Sequence, residues 1–402
     1  MSDTSCTRVM PSRRWGHHPA VLVAGILLIA MNLRAPFTSV APLLESLQQA
    51  LGFNATAAGL LMILPLLAFV IVSPLVPRLA RGLGLERSAF LALLIIALGI
   101  VLRAQGSVLA LYLGLALVGA GIAIGNVLLP SLVKRDFPNH IALLTSCYVL
   151  TMGIMAAIAS STAIPLEQAT TSGWRFALVA MLVLPIITML VWWPQLSSRT
   201  APLIACAPVA RSTSIWKSPL AWQVTIFMGF NSLVYYTVNS WLPTILADSG
   251  FTAEQAGSLH GVLQLASAVP GLVLVPLMPR LKDQRMIACL APGMSLAGFI
   301  GLLLAPEWAL AWVILIGGGA GAAFILALSF VGMRSRNSSQ AASLSSMAQT
   351  VGYLVAAMGP PIIGGMHDWF GNWQLALMVC VGACALMACF GFLAGRNLQL
   401  PE

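Results

Sequence analysis

The sequence predicts an all-α polytopic membrane protein, with twelve transmembrane helices in two parallel, pseudo-symmetric six-helix bundles. Three observations predict it: an extreme apolar composition, twelve apolar runs of spanning length with basic residues in alternate connections, and an internal repeat at a shift of about 200 residues. Of the 402 residues, 59% are hydrophobic and 8% charged, against about 25% charged in an ordinary soluble domain. So much apolar surface cannot hide in one water-soluble core, and a lipid environment removes the conflict. The 35 glycines and 24 prolines fit, because membrane helices tolerate both.

The net charge of +9 does not point to nucleic acid. The basic residues sit in short clusters between apolar runs, not along an amphipathic helix or an aromatic-bearing sheet. Cys6, Cys147, Cys206, Cys289, Cys380, Cys384 and Cys389 have no metal spacing and mostly lie in apolar runs, so they read as small buried hydrophobes. No metal or cofactor is expected. Residues 1–19 form a polar, basic tail; the next apolar run reaches Val40 without a cleavage site, so it reads as a retained first span.

About 20 helical residues cross a hydrocarbon core of about 30 Å. Twelve runs qualify, at 20–40, 57–77, 88–106, 108–133, 140–164, 175–195, 218–243, 254–279, 286–305, 308–333, 341–364 and 373–395. They are too long for barrel strands and lack a period of two. With both termini cytoplasmic, every Lys and Arg except Arg34, Arg103 and Arg175 falls on the cytoplasmic side, while Glu45, Glu167, Asp248, Glu254, Glu307 and Asp368 fall on the other. That bias sets the orientation, and losing one span would scramble it.

The repeat then groups the spans. Pro74-Leu75-Val76-Pro77-Arg78-Leu79 returns as Pro276-Leu277-Met278-Pro279-Arg280-Leu281, and Trp174-Arg175-Phe176-Ala177-Leu178 as Trp373-Gln374-Leu375-Ala376-Leu377. Gly119, Gly121 and Gly125 are echoed by Gly317, Gly319 and Gly321, and Gly153 by Gly352. Halves with an even number of spans share an orientation, which makes the repeats parallel. The expected organisation is a cytoplasmic tail at 1–19, one six-helix bundle at 20–196, a cytoplasmic linker at 197–217, a second bundle at 218–396 and a cytoplasmic tail at 397–402.

Polar side chains inside spans are costly unless they face protein or water. Arg34 and Thr38 lie four apart in the first span, with Asn32 turned away from them. Asn231, Tyr235 and Asn239 form a stripe in the seventh, followed by Trp241 and Pro243. His260, Gln264 and Ser267 form another in the eighth, and Ser345, Gln349 and Tyr353 a third in the eleventh. The fifth offers Tyr148, Thr151 and Met155, and the fourth Asn126 one turn before Pro130. Such stripes either line a water-accessible passage for a small polar solute or glue helices together. Arg34 stays charged and has no acid within a turn; it holds an electron-rich solute or snorkels to the interface. No Asp or Glu falls in the middle of a span, which speaks against a carboxylate proton relay. His260 is the titratable candidate for a proton-sensitive gate, against a structural histidine. The sequence has no Gly-rich nucleotide loop, zinc pattern or nucleophile motif, so neither ATP-driven pumping nor an enzyme is expected.

The spans, the repeat and the loop 77–87 resemble the major facilitator superfamily. Pro77-Arg78-Leu79-Ala80-Arg81-Gly82-Leu83-Gly84-Leu85-Glu86-Arg87 is similar to its signature between spans two and three, without the usual Asp near Ala80; Lys282-Asp283-Gln284-Arg285 keeps an acid in the second half. Within the superfamily the chain resembles the cyanate and 2-nitroimidazole transporter family, nearest the 2-nitroimidazole exporter branch. The matching stretches are Leu33-Arg34 with Thr38, Ala41-Pro42-Leu43-Leu44, Gly125-Asn126-Val127-Leu128-Leu129-Pro130, Lys134-Arg135-Asp136-Phe137-Pro138, Ser218-Pro219-Leu220-Ala221-Trp222-Gln223-Val224, Asn231-Ser232-Leu233-Val234-Tyr235-Tyr236, Trp241-Leu242-Pro243, Gly257-Ser258-Leu259-His260-Gly261 and Met347-Ala348-Gln349 with Val351-Gly352-Tyr353-Leu354. The resemblance implies a monomeric secondary transporter in a bacterial inner membrane, exporting 2-nitroimidazole or similar small polar heteroaromatics by alternating access. Cyanate or other small-anion uptake is the alternative within the family, and a non-transporting membrane sensor or scaffold the alternative of another class. The expected solute-binding set is Arg34, Thr38, Asn126, Tyr148, Asn231, Tyr235, Asn239, Trp241, Gln264, Gln349 and Tyr353. His260, Arg78, Arg81 and Asp283 are the expected gating set. Proton coupling and facilitated diffusion both stay open, and the partners are a small-molecule substrate and membrane lipid.

Overall fold

The computed structural model describes residues 19–137, 140–197, 215–277, 283–336 and 338–400, all in helices and short connections. Ten spans among them are long and apolar enough to cross a membrane: Pro19–Leu51, Ala55–Leu75, Leu85–Arg103, Val108–Val133, Leu143–Gln168, Trp174–Ser197, Ala253–Leu274, Arg285–Leu304, Pro306–Met333 and Gln374–Ala394. Two further helices, Pro219–Asp248 and Ser338–Phe370, take the seventh and eleventh places with 30 and 33 residues. They carry the richest polar stripes in the sequence and pack against each other.

The expected limits hold within several residues except at the first, seventh and eleventh spans. The seventh continues to Asp248 and the eleventh to Phe370. The first does not stop at residue 40. Its helix Pro19–Asn32 breaks at Leu33 and Arg34, resumes over Ala35–Thr38, passes a 3-10 turn at Ala41–Leu43 and ends with Leu44–Leu51. Pro36 and Pro42 cause the interruption, since neither has an amide hydrogen for the carbonyl four residues earlier. Gly52, at φ 71°, closes the last piece in the left-handed conformation that glycine adopts without strain.

Arg103, expected near the outer end of the third span, is fully buried. Its guanidinium donates to the Pro36 carbonyl and, at 3.3 Å, to that of Leu178, so it ties the broken first span to the sixth. The sixth is itself interrupted between Trp174–Ala180 and Val183–Trp192, ahead of Pro185. Arg103→Met is expected to remove two charge-assisted hydrogen bonds of about 1.5–3 kcal/mol each. Relief of a buried charge offsets part of this, leaving a net loss of about 1–3 kcal/mol. A lower melting temperature in detergent is the expected reading, and an unchanged one would count against the role.

The repeat has a three-dimensional counterpart. A methyl group on Gly121 would lie 2.7 Å from the Ala92 carbonyl oxygen, and one on Gly319 2.5 Å from that of Ala291. Small residues bring the third and fourth spans, and the ninth and tenth, to the same close approach. Gly125 and Gly321 are not equivalent, because Gly125 faces the Leu33 side chain and Gly321 the Ser267 backbone. Nor are Gly153 and Gly352: Gly153 faces Ala268 of the eighth span, and Gly352 faces Gly229 of the seventh.

Each half also carries an arginine after its fourth span. Arg135 reaches Glu86 at 2.5 Å and both oxygens of Asp136 at 2.7 and 2.8 Å. Burial draws its pKa down, and hydrogen bonding and charge from Asp136 and Glu86 more than reverse that. Arg334 meets the Gln284 amide oxygen at 2.6 Å and the carbonyls of Ala394 and Gly395. Burial lowers its pKa, with Asp283 acting the other way. The 397–402 segment, expected as a cytoplasmic tail, folds back as far as it is described: Leu400 is buried and its amide donates to the Arg334 carbonyl.

The first and last six spans meet tightly at the end away from these arginines. Gly59 of the second span abuts the backbone of Pro360 and Pro361 in the eleventh. Asp368 accepts from the Ala55 and Thr56 amides at 3.2 and 2.9 Å and from the Thr56 hydroxyl at 2.6 Å, capping the second span with a carboxylate from the other half. Gly257 and Gly261 of the eighth span sit against Ser160, Ala157 and Ser161 of the fifth.

Candidate functional site

Between the halves lies a cavity of about 650 Å³. The Gly59, Gly257 and Gly261 seam lies beyond one end of it; its walls run out to Ser73, Pro74, Thr145, Leu328 and Thr350 at the arginine-bearing end, where Pro74, Leu328 and Thr350 are exposed. The cavity is therefore closed at one end and open at the other.

Each polar group arrives there for a local reason. The proline-induced break turns Arg34 out of the first span towards the cavity. Asn231 and Tyr235, one turn apart, present one face of the seventh span, and Gln349 and Tyr353 do the same in the eleventh. Arg34 sits over the Tyr235 ring at 5.2 Å and donates to the Ser267 hydroxyl at a long 3.4 Å. Tyr235 stands edge-on to Tyr236 at 5.4 Å, and Tyr353 meets Phe69 at 6.0 Å on the wall made by the second and eleventh spans. Four of the five tyrosines, at 148, 235, 236 and 353, line this space.

Behind Tyr235 runs a buried hydrogen-bonded chain. The Tyr235 hydroxyl donates to Gln264 Oε1 at 2.9 Å. Gln264 Nε2 donates to Asn239 Oδ1 at 2.6 Å and faces His260 Nε2 at 3.1 Å. His260 Nδ1 meets the Ser160 hydroxyl of the fifth span at 2.6 Å, and that hydroxyl donates to the Gly257 carbonyl at 3.1 Å. One assignment satisfies every link: an imidazole with its proton on Nδ1 donating to Ser160 and Nε2 accepting from Gln264. A second ring proton would face the Gln264 amide donors and force that amide to turn. Gln264→Leu is expected to release the Tyr235 hydroxyl and weaken solute binding about 3- to 10-fold, at about 1 kcal/mol for the lost positioning bond. Calorimetric titration checks this, and parental affinity would remove Gln264 from the positioning role.

The structure brings together Arg34, Asn126, Tyr148, Asn231, Tyr235, Gln349 and Tyr353 on the cavity wall. It places four expected residues behind the wall. Thr38 is buried and bonds to the carbonyls of Arg34, Ala35 and Ala156. Asn239 and Gln264 are buried in the chain behind Tyr235. Trp241 is fully buried, donates to the Pro360 carbonyl at 2.9 Å and packs on Trp373 at 5.2 Å. Of the gating set, His260 is fully buried on the seam between fifth and eighth spans. Arg78 is exposed, Asp283 is exposed and pairs with its neighbour Arg285 at 3.5 Å, and the Arg81 side chain lies outside the described residues. Among the described residues neither Arg78 nor Asp283 has a hydrogen bond or ion pair to the opposite half. Phe37, Phe69, Tyr236 and Phe324 line the cavity without having been singled out. The adjacency of Tyr236 to Tyr235 was a usable signal; the phenylalanines look like lipid-facing residues in sequence.

The Major Facilitator Superfamily pattern matches residues 20–360. The chain is 47% identical over 385 residues to the 2-nitroimidazole transporter of Escherichia coli (strain K12), covering 96% of this chain and 98% of that protein. It is 29% identical to the cyanate transport protein CynX of the same organism, over 94% of this chain and 99% of that one. Among solved structures, a bacterial homologue of the human lysosomal transporter Spinster, inward-facing and occupied, superposes with a TM-score of 0.76 at 15% identity, covering 96% of this chain and 98% of that one.

Proposed function

The chain belongs to the major facilitator superfamily and is a multi-pass membrane transport protein rather than an enzyme, and from that premise we propose that it exports 2-nitroimidazole or a similar small polar heteroaromatic by alternating access. One observation carries the reading: a cavity sealed at one end and open at the other, with a guanidinium stacked on a tyrosine at its centre. Tyrosine and phenylalanine faces suit a flat ring, and Arg34 with the amides of Asn231 and Gln349 suits nitro and ring-nitrogen atoms. The name of the Escherichia coli relative, at 47% identity over nearly the whole length, supports the substrate.

In this reading the protein is a monomer in a bacterial inner membrane with both termini cytoplasmic, so the open end faces the cytoplasm. Residues 20–196 and 218–396 rock about the cavity. Arg34, Asn126, Tyr148, Asn231, Tyr235, Gln349 and Tyr353 bind the solute, while Thr38, Asn239, Trp241 and Gln264 hold the wall in place. His260 is the proton-sensitive element at the seam, and Arg78, Arg81 and Asp283 gate the open end. A second reading, uptake of cyanate or another small anion, is favoured by the single charge lining the cavity; a linear anion makes little use of the aromatic walls.

Proteoliposomes loaded with labelled 2-nitroimidazole, and a parallel set with labelled cyanate, separate the two. Faster 2-nitroimidazole flux than in protein-free vesicles supports the reading, and flux of cyanate alone replaces it with the second. If neither solute moves or binds, a sensor or scaffold role gains. An imposed pH gradient tests the drive: flux indifferent to it means facilitated diffusion.

A further inference from the structure

We propose that the species held in this cavity is a planar aromatic monoanion, such as the deprotonated form of an acidic azole or an aromatic carboxylate of similar size. This rests on the cavity being the transport site, as read above, and adds the charge state of what it takes.

Charge comes first. Among the described residues Arg34 is the one charged residue lining the cavity, and no Asp or Glu joins it. Every described Asp and Glu lies near a span end or in a connection. The two fully buried arginines are held by the chain itself: Arg103 by two carbonyls, with its Nε left without a partner, and Arg334 by two carbonyls and an amide oxygen. Arg34 differs. Of its five N–H donors, one makes a 3.4 Å contact with a serine hydroxyl, and among the described residues no carboxylate pairs with it. A half-buried cation within a membrane span and without a counter-ion is costly, and a bound anion supplies the missing partner.

Shape then narrows the anion. The guanidinium lies on the Tyr235 face, and Gln264 holds that ring by its hydroxyl. Stacking spends one face of the guanidinium and leaves its edge donors free for two oxygens, or for a ring nitrogen and a nitro oxygen, in one plane. Tyr353 and Phe69 face the same space from the second and eleventh spans, and the Tyr148 and Tyr236 hydroxyls add possible donors. A volume of about 650 Å³ exceeds the needs of a triatomic anion and fits a ring.

Equilibrium titration of the purified full chain in nanodiscs tests the inference, using 2-nitroimidazole, its 1-methyl derivative, which has no ionisable ring N–H, and its 4-methyl derivative, which keeps one at equal bulk. The 1-methyl compound is expected to bind at least about 10-fold more weakly than the 4-methyl compound. The affinity for 2-nitroimidazole should rise as pH passes through the ligand's own ionisation, and benzoate should compete. Arg34→Lys should keep this pH dependence at lower affinity, and Arg34→Gln should abolish it. Equal affinity for the two methyl isomers, or a flat pH profile, would overturn the anion and leave the transport reading standing. Failure of both isomers and of benzoate to bind would remove the transport site itself, and the inference with it.

Discussion

Arg34→Gln is expected to weaken 2-nitroimidazole binding by about 10- to 100-fold while leaving the protein folded. A hydrogen bond to a charged donor is worth about 1.5–3 kcal/mol, and the stacked cation adds about 0.5–2 kcal/mol by holding the Tyr235 ring in register. Glutamine keeps two donors but neither the charge nor the fork. Folding should survive because the arginine contributes little to it: its side chain makes one long hydrogen bond, and the break that presents it is set by Pro36. The melting temperature should therefore hold or rise slightly as an unpaired cation is removed. Arg103→Met should do the reverse, losing stability before affinity. Titration and a thermal scan on both variants separate the roles, and unchanged affinity in Arg34→Gln would take the guanidinium out of the site.

Gly59→Ala is expected to abolish net transport with binding from the open end largely retained. The added methyl would lie 2.6 Å from the Pro360 carbonyl oxygen and from the Pro361 α-carbon. Both are backbone atoms of a helix, so no side chain can swing aside and the seam must part. Nearby, Asp368 caps the second span and Trp241 bonds to Pro360, so a displacement there strains both anchors together. Spin labels at Gln49 and Asn372, both exposed at the closed end, should move apart by several ångströms, on the order of the few-ångström approach that small residues grant packed helices. An unaltered label distance with parental flux would show that the seam tolerates the methyl group.

Much of this architecture was legible from the chain because the membrane imposes simple requirements. Span length, alternation of basic residues and the repeat depend on composition along the chain, and each membrane-spanning stretch found corresponds to an apolar run. Arg34, Asn231 and Tyr235 were legible for the same reason, as polar groups with no business facing lipid. Depth was not. Helical spacing puts Asn231, Tyr235 and Asn239 on one face, but which of them meets open space depends on what the neighbouring span presses against that face. Gln264 covers Asn239 and leaves Asn231 uncovered. Trp241 was misplaced on the same ground: an aromatic beside a polar stripe looks like a wall of the cavity, and the proline backbone that absorbs its indole lies 119 residues away. The anchoring role of Arg103 was not legible because its partners are carbonyls, which leave no mark in the sequence.

The interrupted first span has a mechanical consequence. Within the ten residues from Arg34 to Leu43, one chain segment offers a guanidinium to the cavity, ties Thr38 to the fifth span and presses Pro42 towards Gly257 of the eighth. Detector and fulcrum are thus neighbours on a single strap, and a tug on the cargo end need be relayed only a couple of turns before it reaches the joint.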